Sequence, residues 1–338
     1  MPNEDLSLVV FDLSIVNCQL SIVKRHLIPR ISLQMELSFI TLMAESLRIA
    51  VTGGSGRVGR FVVRCLLDRG HRVLNLDRRP GDDPRARFVD CDVRQRESLL
   101  PLLGDCDAVC HLADIPNVHS GVPPDEVYWN NTRSTSVVLQ AAADLGLRHA
   151  VYASSCQVYG CWGEGSIGPI RFPIDETHPL QLMNAYAVSK AANEMFANYL
   201  CRQEGLSISI LRFPGVLIGD FDDAELRRFQ SIDEPFRDGF GTFIHATDLA
   251  AGFAAAAELS RPGCEIYNLS ADDIVSCMPL RRRLAKHHPR FPSLPEDWPD
   301  YKSPLMAEKA KNSLLWRPQW SFVGHINEAK ARGNRHLG

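Results

Sequence analysis

Leu47-Arg48-Ile49-Ala50-Val51 runs directly into Thr52-Gly53-Gly54-Ser55-Gly56-Arg57-Val58-Gly59, and this junction decides the fold. The first five residues form a short, apolar-rich run that suits a strand. Beyond the glycines, Val58, Phe61, Val62, Cys65 and Leu66 recur at three- and four-residue spacing, the period of a helix that buries one face. A glycine-rich turn therefore joins a strand to a helix, and that context gives the motif its meaning. Gly53 suits the tight turn, Gly56 the approach of a pyrophosphate to the backbone, and Gly59 the close packing of helix on strand. The helix N-terminus then offers N–H groups and a positive dipole end to phosphate.

Working outward, His71 to Leu76 reads as a second strand ending at Asp77. That is the distance past the glycines at which a carboxylate accepts from the adenosine ribose hydroxyls. Asp77 would repel a 2′-phosphate and favours NAD, while Arg57, Arg78 and Arg79 offer compensating charge and leave NADP open. Further strands read through Phe88 to Val93, Ala108 to Ala113 and His149 to Ser155, with a long helix over Val127 to Leu145. Such alternation predicts an α/β fold with a doubly wound parallel sheet. Near the C-terminus, Thr247 to Leu259 is Ala-rich and helix-forming, with Thr247 or Asp248 at its start. Glu265 to Leu269 reads as a strand, and 274–322 as helices between Pro-rich loops. The expected division is a Rossmann domain over 43–215 and a small substrate lobe over 216–338, with 243–270 returning to the core.

Composition narrows the function classes. A chain of 338 residues suits one large α/β domain with a smaller lobe. A net charge of −3 gives no reason to expect a nucleic-acid or anionic-membrane partner. Ten cysteines contain no C-x-x-C pair and the histidines do not join them at zinc spacing, so no metal site is expected. Cys106 and Cys110 read as small core residues. Free thiols in this number fit a reducing cytoplasm, and no apolar run reaches the ~18 residues that span a bilayer. Residues 1–42 precede the natural start of a Rossmann unit. They read as an extension outside the fold, from an upstream start codon or, in the rival reading, with a targeting role.

The motifs in order resemble the extended short-chain dehydrogenase/reductase family, in its NAD-dependent epimerase/dehydratase branch, from about Leu47 to Phe322. They are T-G-G-S-G-R-V-G at 52–59, D-V at 92–93, H-L-A at 111–113, N-T-R-S-T at 131–135, S-S-C-Q-V-Y-G at 154–160 and Y-A-V-S-K at 186–190. L-R-F-P-G at 211–215, F-I-H-A-T-D-L-A at 243–250, Y-N-L-S at 267–270 and W-R-P at 316–318 complete the series. The resemblance implies a nicotinamide cofactor held by Gly53, Ser55, Gly56, Arg57, Val58, Gly59, Asp77, Arg78, Asp92, Val93, Leu112, Ala113, Tyr186, Lys190, Phe213 and Pro214. It implies catalytic roles for Ser155, Tyr186 and Lys190, with Asn131 supporting the lysine through water. It also implies a homodimer formed by helices near 127–145 and 184–204. The family glycine before W-R-P is Leu315 here, so that turn is expected to differ.

The chemistry of the pair follows from spacing. Residues 184–204 have helical character, so Tyr186 and Lys190 share one face. A free phenol ionises near pH 10, and a neighbouring ammonium favours the phenolate. Tyr186 can then take a proton from a substrate hydroxyl while hydride leaves to the nicotinamide. Cys156-Gln157 stands where 4,6-dehydratases of the family carry Asp-Glu, which argues against dehydration. Phe213-Pro214-Gly215-Val216 stands where nucleotide-sugar epimerases of the family usually carry an asparagine on the substrate diphosphate, and the stretch from Gly219 to Phe243 is shorter than their insert. Both point to a smaller carbohydrate-like substrate, such as a sugar, sugar acid or lactone, with Arg227, Arg228 and Arg237 as candidate anion contacts. Dehydrogenation stands ahead of epimerisation, and a non-catalytic dinucleotide sensor is disfavoured by the Tyr/Lys pair.

Overall fold

The computed structural model describes residues 46–116, 121–162, 166–219, 240–276 and 278–331. The extension at 1–42 and Arg227, Arg228 and Arg237 lie outside the described residues. From Leu47 onward the chain runs β1 (Arg48–Thr52), α1 (Gly59–Asp68), β2 (Arg72–Asp77), β3 (Arg87–Asp90), α2 (Arg96–Leu103), β4 (Ala108–His111) and α3 (Pro124–Asp144). It continues through β5 (His149–Ala153), α4 (Ala185–Gln203), β6 (Ile208–Arg212), β7 (Gly215–Leu217), β8 (Phe243–His245), α5 (Ala246–Glu258) and β9 (Cys264–Asn268). Three helices follow, α6 (Leu280–His287), α7 (Glu308–Ser313) and α8 (Phe322–Ala331).

Seven strands pair in the order β3-β2-β1-β4-β5-β6-β9, every neighbour parallel. Every residue of β4, β5 and β6 is buried, so these strands read as continuous runs rather than alternations. A parallel sheet covered on both faces requires this. On one face, Val62 and Leu66 of α1 and Phe253 of α5 pack on Ile49 and Val51. On the other, Leu139 of α3 and Leu200 of α4 pack on Ala50, Val109 and Ile208. β2 and β4 flank β1, so the strand order reverses at the carboxyl ends of β1 and β4. Open sheets of this kind bind ligands in the crevice made there.

Some sequence-based boundaries shift. β4 and β5 were expected to reach Ala113 and Ser155 but stop at His111 and Ala153. After β4 the chain folds into a tight turn, with Asp114 N donating to Leu112 O at 2.9 Å, which ends the ladder. The cap of α5 is neither Thr247 nor Asp248 but His245, whose ring nitrogen accepts from Thr247 N. Asp248 turns inward and accepts from Trp320 N at 2.9 Å. Leu315, standing where the family carries glycine, adopts φ +52°.

Candidate active site

The turn after β1 is built for close approach. Gly53 sits at φ +71°, and a Cβ there would lie 2.8 Å from Ala113 N. A Cβ on Gly59 would lie 2.0 Å from Gly53 O, so only glycine lets α1 begin this close to the turn. Gly56 has an added reason to be small, because its Cβ would meet Gly53 O at 3.0 Å. Beside the turn lies a cleft of about 260 Å³, lined by Gly53, Gly56, Asp77, Arg78, Asp92, Val93, Leu112 and Ala113 among others. Eight of the residues expected at the cofactor thus come together in one cavity.

The others lie around it. Ser55 donates its hydroxyl to Arg79 O, exposed Arg57 reaches Val216 O, and Val58 precedes α1. Phe213 packs edge-on against Phe253 and its carbonyl accepts from Cys156 N, while Pro214 is buried. Asp77 accepts from Ser55 N at 3.1 Å and Arg79 N at 3.2 Å, which fixes the carboxylate at the cleft wall. Asp92 is chelated by Arg94 at 2.5 Å, and those hydrogen bonds hold it down at about 2. A glycine cradle that a Cβ would fill, beside a fixed carboxylate, fits a dinucleotide with its pyrophosphate on the turn and its ribose at Asp77.

Next to the cleft stand the tyrosine and the lysine. Asn184 caps α4 by accepting from Ala187 N at 2.9 Å, which sets the first turn carrying Tyr186. One turn on, the Lys190 ammonium lies 5.3 Å from the Tyr186 ring centre and 4.9 Å from that of Tyr152. It donates to Ala153 O and to Asp114 Oδ2, both at 2.5 Å. Burial works against the Lys190 charge, but Asp114 and the two phenols outweigh it and raise its pKa. Burial pushes the Tyr186 phenol up; Lys190 opposes this, Asp114 adds to it, and a hydrogen bond from Ser155 opposes it.

Ser155 leaves the end of β5 in extended conformation, and its hydroxyl accepts from Gln157 N at 3.2 Å. Asn131 is fully buried and lies near the lysine's helix, its amide nitrogen 3.5 Å from Ser189 Oγ. It accepts from Ile115 N at 2.8 Å and donates to Ile115 O at 3.0 Å, clamping the turn after β4. Asp114, directly after the H-L-A motif, is not among the expected site residues, although an acid at the carboxyl end of a central strand is itself a signal. Nor is Glu194, one turn beyond Lys190. Glu194 accepts from Ser154 Oγ at 2.5 Å and holds Arg212 through both oxygens at 2.9 and 2.6 Å. Arg212 reaches Tyr159, whose hydroxyl donates to Asn268 at 2.8 Å. This buried network underlies the strand end that presents Ser155.

Cys110 is fully buried and burial pushes its thiol up to about 12, so it packs rather than reacts. Among the described residues no cluster of three metal-ligating side chains occurs, and no helix is long and apolar enough to cross a membrane.

Fold and site together define a nicotinamide-dependent enzyme of the extended short-chain dehydrogenase/reductase class. The family model for the NAD dependent epimerase/dehydratase family matches residues 49–229, and the chain belongs to that family. A UDP-glucose 4-epimerase from Lactobacillus helveticus is 31% identical over 175 residues, 49% of this chain; the match spans about half, 51%, of that relative. A dTDP-D-glucose 4,6-dehydratase from Bos taurus is 26% identical over 308 residues, 80% of this chain and 84% of the relative. The crystal structure of UDP-N-acetylglucosamine 4-epimerase from Bacillus cereus superposes with a TM-score of 0.59 at 25% identity, covering 82% of this chain and 95% of that one.

Proposed function

We propose that this enzyme oxidises a secondary hydroxyl of a carbohydrate-like substrate, with Tyr186 as the proton-transfer residue. The observation behind this reading is the meeting of Tyr186, Lys190 and Ser155 next to Asp114, which lines the cleft that also holds Gly53 and Gly56. NAD, when bound in the cleft lined by Gly53, Gly56 and Asp77, would supply a hydride acceptor. Tyr186 then takes the proton of the substrate hydroxyl and returns it to the developing alkoxide in the reverse direction. Ser155, whose own oxygen is fixed by Gln157 N, is positioned to donate its hydrogen to the reacting oxygen. Lys190 keeps a positive charge near the phenol. Asn131 fixes the turn that carries Asp114 toward Lys190. Residues 216–338 would supply the substrate lobe. The exposed apolar side chains Tyr128 on α3 and Val188, Met195 and Tyr199 on α4 support a homodimer through these helices.

Water elimination is poorly supported. Cys156 and Gln157 follow Ser155, Cys156 is buried, and the Gln157 side chain accepts from Asn184 at 3.3 Å. The nearby acids Asp114 and Glu194 are already in ion pairs. A second reading, epimerisation of a nucleotide sugar, is favoured by the names of the epimerase relatives. The test is a panel of sugars, sugar acids, polyols and UDP-sugars with NAD or NADP. Accumulating reduced cofactor marks a dehydrogenase, and sugar interconversion without it marks an epimerase. Tyr186→Phe should bind NAD and lose nearly all turnover, and retained turnover overturns the assignment.

A further inference from the structure

We infer that Asp114 is a positioning residue that sets how readily Tyr186 gives up its proton, by holding the Lys190 ammonium and offsetting part of its charge. The inference builds on the proposal that Tyr186 is the proton-transfer residue. It starts from a geometry in which Asp114 has little freedom. The tight turn after β4 fixes its backbone, and the next residue, Ile115, has both its N–H and its carbonyl clamped by the Asn131 amide. The carboxylate is buried; Oδ1 accepts from Ser134 at 3.1 Å and Oδ2 from Lys190 at 2.5 Å. His111 Nε2 stands 4.0 Å away, but burial lowers that imidazole to about 4, so it brings no charge at neutral pH.

The groups facing Tyr186 can be taken element by element. Its own helix offers Lys190, the turn after β4 offers Asp114, β5 offers the Tyr152 phenol, and the turn after β5 offers the Ser155 hydroxyl and the Cys156 thiol. Of these, Lys190 is the cation and Asp114 the carboxylate. Their opposed effects on the phenol mean that the ion pair, and not the lysine alone, fixes the charge Tyr186 experiences. Lys190 makes the phenolate easier to form, and its pairing with Asp114 takes back part of that help.

Tyrosinate absorbance near 295 nm reads this directly and needs no substrate. The full chain and its Asp114→Asn and Asp114→Ala forms are titrated, each with and without Tyr186→Phe, so that subtraction isolates the Tyr186 step. The step is expected to fall by about one pH unit or more in both Asp114 variants, and Asp114→Glu should bring it back up. If the parent's step lies above the alkaline limit of the fold, the expected result is its entry into the accessible range in the Asp114 variants. A coincident midpoint, an upward shift, or no step in range for either variant overturns the inference. A purely structural role for Asp114 would lower stability without moving the Tyr186 step. Turnover by Tyr186→Phe would sink the proton-transfer reading separately, since the absorbance reports the coupling whether or not Tyr186 serves catalysis.

Discussion

Gly59→Ala tests the cofactor site most sharply. The added Cβ would sit 2.0 Å from Gly53 O, 2.8 Å from Gly54 Cα and 2.9 Å from Gly53 C. All three are backbone atoms, so no side chain can swing away. Reaching even 3.0 Å from Gly53 O requires the start of α1 to retreat by at least 1.0 Å. That helix start is the part that would face the pyrophosphate, and losing one hydrogen bond to a charged group there costs about 1.5–3 kcal/mol. At about 1.4 kcal/mol per tenfold, NAD affinity should weaken by roughly 10- to 100-fold. Overpacking should lower stability by about 1–3 kcal/mol as well. NADH binding is followed by fluorescence titration, and stability by urea denaturation. Gly104→Ala is the control. Its backbone is helical at φ −57° and its Cβ would meet only Leu100 O, at 3.7 Å. It should leave NAD affinity unchanged and raise stability by about 0.4–1 kcal/mol. A Gly59→Ala chain that binds NADH within threefold of the parent would refute the reasoning.

Burial lowers His149 to about 4, below the unfolded value near 6.5. The unfolded chain therefore takes up the proton first, and stability falls as pH drops from about 6.5 toward 4. Between pH 7 and 5 this amounts to about 2 kcal/mol; urea titrations at both pH values should show a smaller drop for His149→Asn, and equal drops would refute it. Sedimentation should show a dimer that Met195→Glu with Tyr199→Glu converts to a monomer still able to bind NAD; a monomeric parent would remove the dimer proposal. Leu315 is 71% exposed at φ +52° and has little packing to lose. Leu315→Gly should therefore stabilise by about 0.5–1 kcal/mol, read as a small rise in Tm, and a fall would show that the side chain matters more than the backbone.

The parts of this fold that were legible in the sequence are those that repeat or that demand one residue type. The helical spacing after Val58 and the apolar runs of the central strands are periodic, because each element must bury a face. Gly53 and Gly59 are legible because a Cβ fits at neither. At Leu315, where the family carries glycine, the backbone lies in the left-handed region that glycine adopts most readily. The strand ends were misplaced for a local reason. Leu112 and Ala113 look like strand residues, and only the Asp114 N to Leu112 O contact shows that the ladder has stopped. His245 as the cap of α5 was hidden because serine, threonine and aspartate are the usual caps, and the aspartate at hand was needed by Trp320.

The buried ion pairs were hidden for a different reason, and it bears on how such a site is read. Lys190 and Arg212 are 76 and 18 residues from the acids that hold them, so no local pattern links partner to partner. Yet physics requires the partners. An ammonium 2% exposed costs several kcal/mol to desolvate unless it is paired, and removing one member of such a pair typically costs about 3–5 kcal/mol. Once Y-A-V-S-K places a lysine on the buried face of a helix, a carboxylate must be sought near it, and the carboxyl ends of neighbouring strands are where it can reach. Asp114 meets that requirement from the turn after β4, while Glu194, on the lysine's own helix, meets the same requirement for Arg212 at the end of β6. The two acids then differ in what they leave exposed to chemistry. Glu194 takes both its cation and Ser154 out of play beneath the strand end, whereas Asp114 holds a cation that still lies 5.3 Å from the Tyr186 ring. Of the two pairs, the Asp114–Lys190 one is therefore the one through which a single substitution would reach Tyr186, the proposed proton-transfer residue, at a cost in stability of about 3–5 kcal/mol.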